Sequence, residues 1–314
     1  MDWQASLVKL YFYICDQFDE ELSLHNQRFA KNTNWKLLKF SDEEVITSFL
    51  FGLTRGYKTV KEVYQYLKDH LLDWFPNLLS YQKYNERLNH LNDVLAHLVA
   101  RQVRQMPLSP LIFDRNGQTI DPFSHTFDVL VDSMPIVLAK GKRADDAKVA
   151  LEVANKGTCA TKDLWYHGLK LHVLALYVPT ELPQPCQICL SAASMHDNAF
   201  FKEQLAPFIP LPKVRVFADR IYHNLKKEVC EDLLKFYNVT SEAVEKRRKG
   251  QQQLFYDQKL ANTERSRTRQ PIEAFFNWLI VHSDIQNASL VRSTAGLFKH
   301  TWARIAAAFI KAQF

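Results

Sequence analysis

The chain has 314 residues, enough for one large domain or for a catalytic domain with a smaller accessory one. Hydrophobic residues make up 47% and charged residues 24%, which is typical of a soluble, core-forming protein and excludes a disordered, collagen-like or repeat protein. The most apolar segment, Leu169–Val178, is too short to span a bilayer, and the N-terminal segment does not resemble a signal peptide. Five cysteines, an odd number, suggest reduced thiols, so we expect a cytoplasmic protein with no membrane partner.

The formal net charge of +6 is concentrated in residues 246–269, which we call the basic strip. This segment holds eight basic and two acidic residues, so it accounts for the whole excess. Such clustering is the electrostatic footprint of a protein that binds a polyanion, and the alternative is a solvated loop with a basic bias. Its basic residues are Lys246, Arg247, Arg248, Lys249, Lys259, Arg265, Arg267 and Arg269.

Residues 1–106 are predicted to be helical. Two capping boxes, Ser41–Glu44 and Thr59–Glu62, each predict the start of a helix, and a third helix is predicted from near Ser80 to Leu98. Two capped helices joined by a short Gly-containing turn resemble a helix-turn-helix unit, although any helical bundle can show this pattern. We expect residues 1–106 to form an all-α domain, which is either a helix-turn-helix-like, DNA-binding domain or a helical bundle without that role.

The hydrophobic period changes after the proline-containing segment 106–110. From there to residue 314 the pattern predicts an α/β domain with a mixed sheet flanked by helices, including a hairpin-like meander between Trp165 and Ala192. The strands are predicted at 127–131, 165–178, 186–192 and 214–218, and the helices at 198–205, 225–236, 272–282 and 294–310.

Three carboxylates occupy positions where a site is expected. Asp132 directly follows the run 127–131, and Asp219 directly follows 214–218, so both are predicted at the ends of strands, where open α/β sheets place their ligands. Glu273 lies in the first turn of an amphipathic helix, where the helix dipole favours an acid. Brought together, three acids need a cation between them, and an all-oxygen donor set suits Mg²⁺ or Mn²⁺. Individually, each acid is equally consistent with a turn, cap or first-turn role.

Five short motifs follow one another along the second part of the chain: VDSMP at 131–135, YHGLKLH at 166–172, ASMHD at 193–197, ADRIY at 218–222 and RQPIE at 269–273. The ordered set resembles bacterial DDE-type insertion-sequence transposases. The resemblance implies that residues 107–314 form an RNase H-like catalytic domain, in which Asp132, Asp219 and Glu273 are the catalytic triad that binds two Mg²⁺ or Mn²⁺ ions. It also implies double-stranded DNA partners (element terminal inverted repeats and target DNA), a homodimer or larger assembly, and a cytoplasmic, nucleoid-associated location.

Arg269 precedes Glu273 by one helical turn and matches an Arg-x-x-x-Glu signature found in part of this superfamily. Three positions depart from the family pattern: Ser266 and Ile280 replace a Tyr and a Lys of that signature, and Ile221 replaces a common Gly. An Arg at position 269 can hold a phosphate beside the metals through its planar fork of donors. The side chains expected to contact DNA are those of Arg269, Lys246, Arg247, Arg248, Lys249, Arg265, Arg267 and Lys170.

Two other functions use the same residues: a catalytically inactive, transposase-derived DNA-binding protein, and an RNase H-like metal-dependent nuclease without strand transfer.

Several further residues are candidates for the site. Lys170 and His172 share one face of a predicted strand, and they either point at the site or lie at the edge of the core. Asp197 can be a substitute ligand, but the segment 194–197 fits better as the cap of the next helix. Cys186 and Cys189 form only half of a zinc site. The sequence contains no Gly-rich phosphate loop, which argues against an ATP-driven enzyme.

Overall fold

The computed structural model describes residues 2–20, 38–106, 126–159, 163–205, 213–219, 235, 239–245, 247 and 250–313. The chain divides into two compact units. The helical unit comprises Met1–Gln102 and Leu279–Phe314, and the sheet unit comprises Val103–Trp278. The C-terminal segment from residue 279 thus belongs with the N-terminal helices, whereas the sequence pattern had assigned it to the domain 107–314. Within the described ranges, no helix combines the length and apolarity needed to cross a bilayer.

The elements follow the chain in a simple order of helices, then strands, then helices. In the first part the helices are α1 (Trp3–Glu20), α2 (Asp42–Thr54), α3 (Val60–His70), α4 (Tyr81–His90) and α5 (Asn92–Gln105). The next elements are β1 (Phe127–Lys140), β2 (Asn155–Cys159), β3 (Leu164–Leu176), β4 (Gln184–Ala192), α6 (Asp197–Phe200), β5 (Val214–Ala218) and β6 (Val239–Ala243). The last helices are α7 (Tyr256–Arg269), α8 (Pro271–Ser283) and α9 (Thr294–Gln313).

Both predicted capping boxes are present in the helical unit. The Ser41 hydroxyl accepts from the Glu44 amide at 3.2 Å while the Glu44 carboxylate accepts from the Ser41 amide, and Thr59 and Glu62 make the same reciprocal pair. Helix α2 is buried on all sides from residue 45 to 53 and packs against α1 and α9, so it forms the centre of this unit. The single helix predicted from Ser80 to Leu98 is instead two helices, α4 and α5, separated at Leu91.

The sheet unit contains a six-stranded mixed sheet, which confirms the predicted mixed α/β architecture. Its strand order is β2-β3-β1-β5-β6, and β4 also pairs with β3. Strand β3 is antiparallel to β1, β2 and β4, whereas β5 is parallel to both β1 and β6. Strand β1 therefore lies between an antiparallel neighbour on one side and a parallel neighbour on the other.

The two faces of the sheet differ in character because side chains alternate along each strand. One face carries the apolar core, against which the segment that contains Phe200 and Phe201 packs. That core includes Phe127, Val129, Val131, Leu174, Leu176, Val214, Val216, Ala218 and Val239. The intervening β1 residues Asp128, Leu130 and Asp132 consequently point to the opposite face, which is where the acidic residues of interest lie.

Strand β1 is much longer than predicted, and this corrects the placement of Asp132. The prediction ended the strand at Val131, but β1 continues to Lys140 because it stays paired with β3 over that whole length. The polar residues at 132 and 133 suggested a strand end, whereas buried Met134 and Ile136 maintain the strand beyond them. Asp132 therefore lies within a strand, although it is just beyond the part of β1 that pairs with β5.

Other predicted elements differ in extent. The helix predicted at 198–205 is the four-residue α6 followed by a π-helical turn, Phe201–Leu205. The helix predicted at 225–236 lies outside the described residues, apart from Lys235. Strands β2 and β6 were not predicted, because their sequences, NKGTC and VTSEA, lack the apolar runs by which strands are recognised.

Candidate active site

Asp132 and Asp219 lie side by side at the edge where the β1–β5 pairing ends. The last registered pair of this parallel ladder is Leu130 with Phe217, and each aspartate lies two residues further along the chain from its member of that pair. Asp219 directly follows β5, as the sequence predicted. The negative charge of Asp219 acts on the carboxyl group of Asp132, so the two acids are electrostatic neighbours.

Arg269 joins Asp132 to the third predicted acid, Glu273. Its guanidinium donates from Nη1 to Asp132 Oδ2 at 2.8 Å and from Nη2 to Glu273 Oε1 at 2.5 Å. Arg269 is the last residue of α7, and Glu273 lies in the first turn of α8, so the junction of these helices delivers both groups to the sheet. The side chains of Arg269 and Asp132 are only 17% and 20% exposed, whereas that of Glu273 is 56% exposed.

The pKa of Asp132 responds to the groups around it. Burial raises this pKa to about 7; Arg269 and the Ser133 amide oppose this shift, and Asp219 and Glu273 add to it. Burial works against the charge of Arg269, but Asp132, Glu273 and Asp219 outweigh that effect and raise its pKa. The guanidinium thus remains cationic and supplies the positive charge that the clustered acids require.

The chemistry of this donor set suits a divalent metal ion. Asp132, Asp219 and Glu273 offer only carboxylate oxygens, the ligands that Mg²⁺ and Mn²⁺ prefer. In the structure, however, Arg269 lies between two of these carboxylates, and no group of three or more His, Cys, Asp or Glu residues in the described part of the chain has the arrangement of a metal site. The carboxylate oxygens are suitable ligands for a divalent metal ion, and in the structure the Arg269 guanidinium occupies the position between two of them.

The basic strip separates into two structural classes. Arg265 is bound internally, donating to Glu242 at 3.0 Å and to Glu245 at 3.2 Å, so it ties α7 to the end of β6. Arg247, Lys259 and Arg267 are exposed. Lys246, Arg248 and Lys249 lie outside the described residues.

Lys170 lies on the face of the sheet opposite Asp132. Asp132 is registered with Val173, and Lys170 is an odd number of residues from that position, so the two side chains point in opposite directions. The Lys170 ammonium donates to Asp197 Oδ1 at 3.0 Å and to the Met195 carbonyl at 2.9 Å, and its side chain is 14% exposed. Its charge is therefore paired within the protein.

Around Lys170 is a polar cluster that the sequence analysis did not identify as a unit. The hydroxyl of Ser133, the neighbour of Asp132, donates to Asp197 at 3.3 Å, and His172 forms a 2.7 Å hydrogen bond with Ser191. Burial lowers the pKa of His172 to about 4, and its ring stacks on Phe200 at 4.0 Å between centroids. The motifs YHGLKLH and ASMHD supply most of this cluster, so their spacing was the available signal.

Two minor predictions have clear outcomes. The segment 194–197 caps the next helix, as predicted: His196 is the N-cap of α6, and Asp197, the first residue of that helix, pairs with Lys170. Cys186 and Cys189 are partly buried against the apolar core, and burial raises the pKa of Cys186 to about 11, which opposes formation of a metal-binding thiolate.

None of the protein-family models, curated proteins or solved structures compared with this chain matches it. Inferences about its function therefore depend on its own residues and their geometry.

Proposed function

We propose that this chain is a DDE-type transposase that binds the ends of its insertion element and catalyses metal-dependent DNA cleavage and strand transfer. The observation that carries the proposal is the convergence of Asp132, Asp219 and Glu273, which are widely separated in sequence, around one buried strand position. Bringing carboxylates together lowers the stability of the folded state through charge repulsion, and such clusters are typical of functional sites. Its members are the three acids that match the family motifs.

The sheet supports an RNase H-like catalytic domain as part of this proposal. The first aspartate lies on β1, in the interior of the sheet, and the second follows the adjacent parallel strand β5. Rigid paired strands hold both carboxylates to within a narrow range of positions, as two-metal phosphoryl transfer requires. Glu273 lies at the start of a helix and is exposed, whereas Asp132 and Asp219 are only partly exposed.

In this proposal Asp132, Asp219 and Glu273 hold two Mg²⁺ or Mn²⁺ ions. Such ions, when bound, activate the attacking oxygen and stabilise the leaving oxygen of an in-line phosphoryl displacement. Arg269 donates one hydrogen bond from each of its two terminal nitrogens to the acids. Its planar guanidinium has further N–H donors, which are suited to hold a DNA phosphate beside these acids. The exposed residues Arg247 and Arg267 provide further phosphate contacts.

Asp132→Asn tests the proposal, because it removes a carboxylate while keeping the shape of the side chain. The substrate is a supercoiled plasmid that carries the DNA flanking the coding sequence on both sides. We expect wild-type protein with Mg²⁺ or Mn²⁺ to give nicked and joined products, and D132N to give none while binding the same DNA with wild-type salt dependence. Cleavage without joined products would indicate the nuclease alternative.

A second function is favoured by one observation: the Arg269 guanidinium already neutralises two of the acids. A transposase-derived DNA-binding protein that no longer cuts would keep this ion-pair network as a purely structural element. Wild-type protein that binds DNA but gives no nicked product with either metal, while D132N behaves identically, would establish this second function and reject the first.

A further inference from the structure

The helical unit contains a cleft of about 750 Å³ that no catalytic prediction uses. Its lining comes from the start of α3, from α4, from the segment between α8 and α9, and from the first turns of α9. Five lysine and arginine side chains contribute to this lining: Lys58, Lys61, Arg292, Lys299 and Arg304.

Lys299 is the unusual member of this set because it is buried without a counter-charge. The residue is 7% exposed, and its ammonium donates to the neutral amide oxygen of Asn85 at 2.8 Å, its one partner within the described part of the chain. Burial lowers the pKa of Lys299 to about 8, and no carboxylate opposes this shift. A buried ammonium is costly unless it is paired, so this position favours an anion.

The two acids of the cleft do not compensate Lys299. Glu62 accepts from the backbone amides of Lys58 and Thr59, where it completes a capping box. Asp284 lies 3.8 Å from the Lys58 ammonium. The charge of Asp284, and to a lesser degree that of Glu62, acts on Arg304.

The remaining cations of the cleft have different roles. Arg304 is structural, since it donates to the backbone carbonyls of Ser283 and Lys58. The exposed side chain of Arg292 donates to two nearby backbone carbonyls, and no acid in the described part of the chain forms an ion pair with it. Lys61 is also exposed. The cleft thus combines one buried ammonium with exposed cations beside it.

We propose that this cleft binds the phosphodiester backbone of DNA, with one phosphate at Lys299 and neighbouring phosphates at Lys61 and Arg292. Several exposed cations beside a buried one fit the repeated charges of a strand better than a single free phosphate. This inference rests on the proposed function, which makes DNA the ligand, and it locates a contact of the helical unit on α9, outside the predicted helix-turn-helix.

Lys299→Met tests the proposal because methionine retains most of the apolar stem and removes the charge. The matched control is Lys311→Met, an exposed lysine at the other end of the same helix. Binding to a fluorescent duplex is measured by anisotropy at a series of salt concentrations. We expect K299M to lose about tenfold in affinity, as for a charge-assisted hydrogen bond. It should also flatten the slope of log affinity against log salt by about 0.9 for the lost phosphate contact, while K311M changes neither.

Thermal unfolding distinguishes this role from a structural one. Removal of an uncompensated buried charge should leave the Tm of K299M equal to that of wild type or higher. If K299M does not fold, Lys61→Met gives the same test from the exposed side of the cleft, where folding is not at risk, and a flattened salt slope is expected. Wild-type DNA affinity and slope in K299M, or in K61M if K299M does not fold, would overturn the proposal.

Inorganic phosphate provides the last arm of the experiment. If phosphate raises the Tm of wild type but not of K299M, while DNA binding is the same in both proteins, the cleft takes a small phosphate compound and the DNA proposal is overturned. These results can be separated from the outcome of the cleavage experiment, because they depend on DNA binding alone and require no cleavage. A K299M protein that loses affinity while wild type never cleaves supports the cleft and rejects the transposase.

Discussion

Arg269 donates a hydrogen bond to Asp132 across 137 positions of sequence, and the same guanidinium reaches Glu273 four residues further along the chain. This contact joins the end of α7 to β1. It also means that a side chain of the protein itself, the Arg269 guanidinium, compensates part of the negative charge of the acidic cluster. A divalent ion that binds these acids must compete with, or work beside, a cation that is already there.

The first prediction concerns Arg269→Gln. Loss of the guanidinium leaves Asp132 and Glu273 without their common partner, so we expect a fall in stability of about 1–2 kcal/mol, below the 3–5 typical of a fully buried pair because the side chains are partly exposed. We also expect Mg²⁺ to raise the Tm of R269Q more than that of wild type, because the ion replaces the missing charge. Thermal unfolding with and without Mg²⁺ measures both effects.

The control for R269Q is Arg267→Gln, an exposed arginine on the same helix, which should match wild type in both conditions. An R269Q protein whose metal-free Tm and Mg²⁺ response equal those of wild type would show that Arg269 is not the counter-ion of the acids.

The second prediction separates the two classes of residue in the basic strip. Arg267→Gln should weaken binding to all DNA sequences about equally and flatten the salt slope by about 0.9, because phosphate contacts carry no sequence information. Arg265→Gln should leave the salt slope unchanged and lower stability instead, since it removes the ion pairs with Glu242 and Glu245. Anisotropy and thermal unfolding on both variants check this division, and a flattened slope in R265Q would contradict it.

The third prediction is a loss of stability in acid caused by His172. Its pKa is about 4 in the folded protein, against about 6.5 when exposed, so the unfolded chain binds a proton that the folded chain rejects. The contribution of His172 to stability therefore falls by up to about 3 kcal/mol as the pH drops from about 6.5 to 4. Asp132, whose pKa burial raises to about 7, acts in the opposite direction over this window and is present in both proteins compared. Burial opposes the protonated ring and Lys170 adds to this effect, and together they outweigh Asp197, which lies 4.0 Å away and favours the protonated ring.

His172→Gln should remove this part of the pH dependence of unfolding, measured by denaturant titration from neutral to acidic pH. His300, whose pKa burial lowers to about 3, has an effect of the same sign and remains in both proteins. Exposed His282→Gln is the control and should retain the wild-type profile. If the free energy of unfolding of H172Q depended on acidic pH as that of wild type does, His172 would not be a cause of the acid destabilisation.

The sequence predicted the local features of the fold well because local signals determine them. The capping box at Ser41 and the strand that ends before Asp219 both formed as expected. The length of β1 was not predicted, because the polar residues Asp132 and Ser133 interrupt its apolar pattern, whereas in the fold pairing with β3 continues through them. Likewise, the sequence identified Arg269 beside Glu273, but only the fold could reveal that Asp132 is its other partner.

The final prediction concerns Gly168, in the motif YHGLKLH. A Cβ placed there would lie 2.0 Å from the Ile136 carbonyl oxygen of β1, a backbone atom that cannot move aside without disturbing the β1–β3 pairing. We expect Gly168→Ala to cost more than about 2 kcal/mol, as overpacking commonly does, and to reduce DNA cleavage because the same pairing positions Asp132. Gly296→Ala is the control: its nearest neighbour is a Ser293 hydroxyl at 3.1 Å, and alanine favours the helix. Denaturant unfolding of both variants tests the prediction, and wild-type stability in G168A would refute the claim that β1 leaves no room for a side chain at position 168.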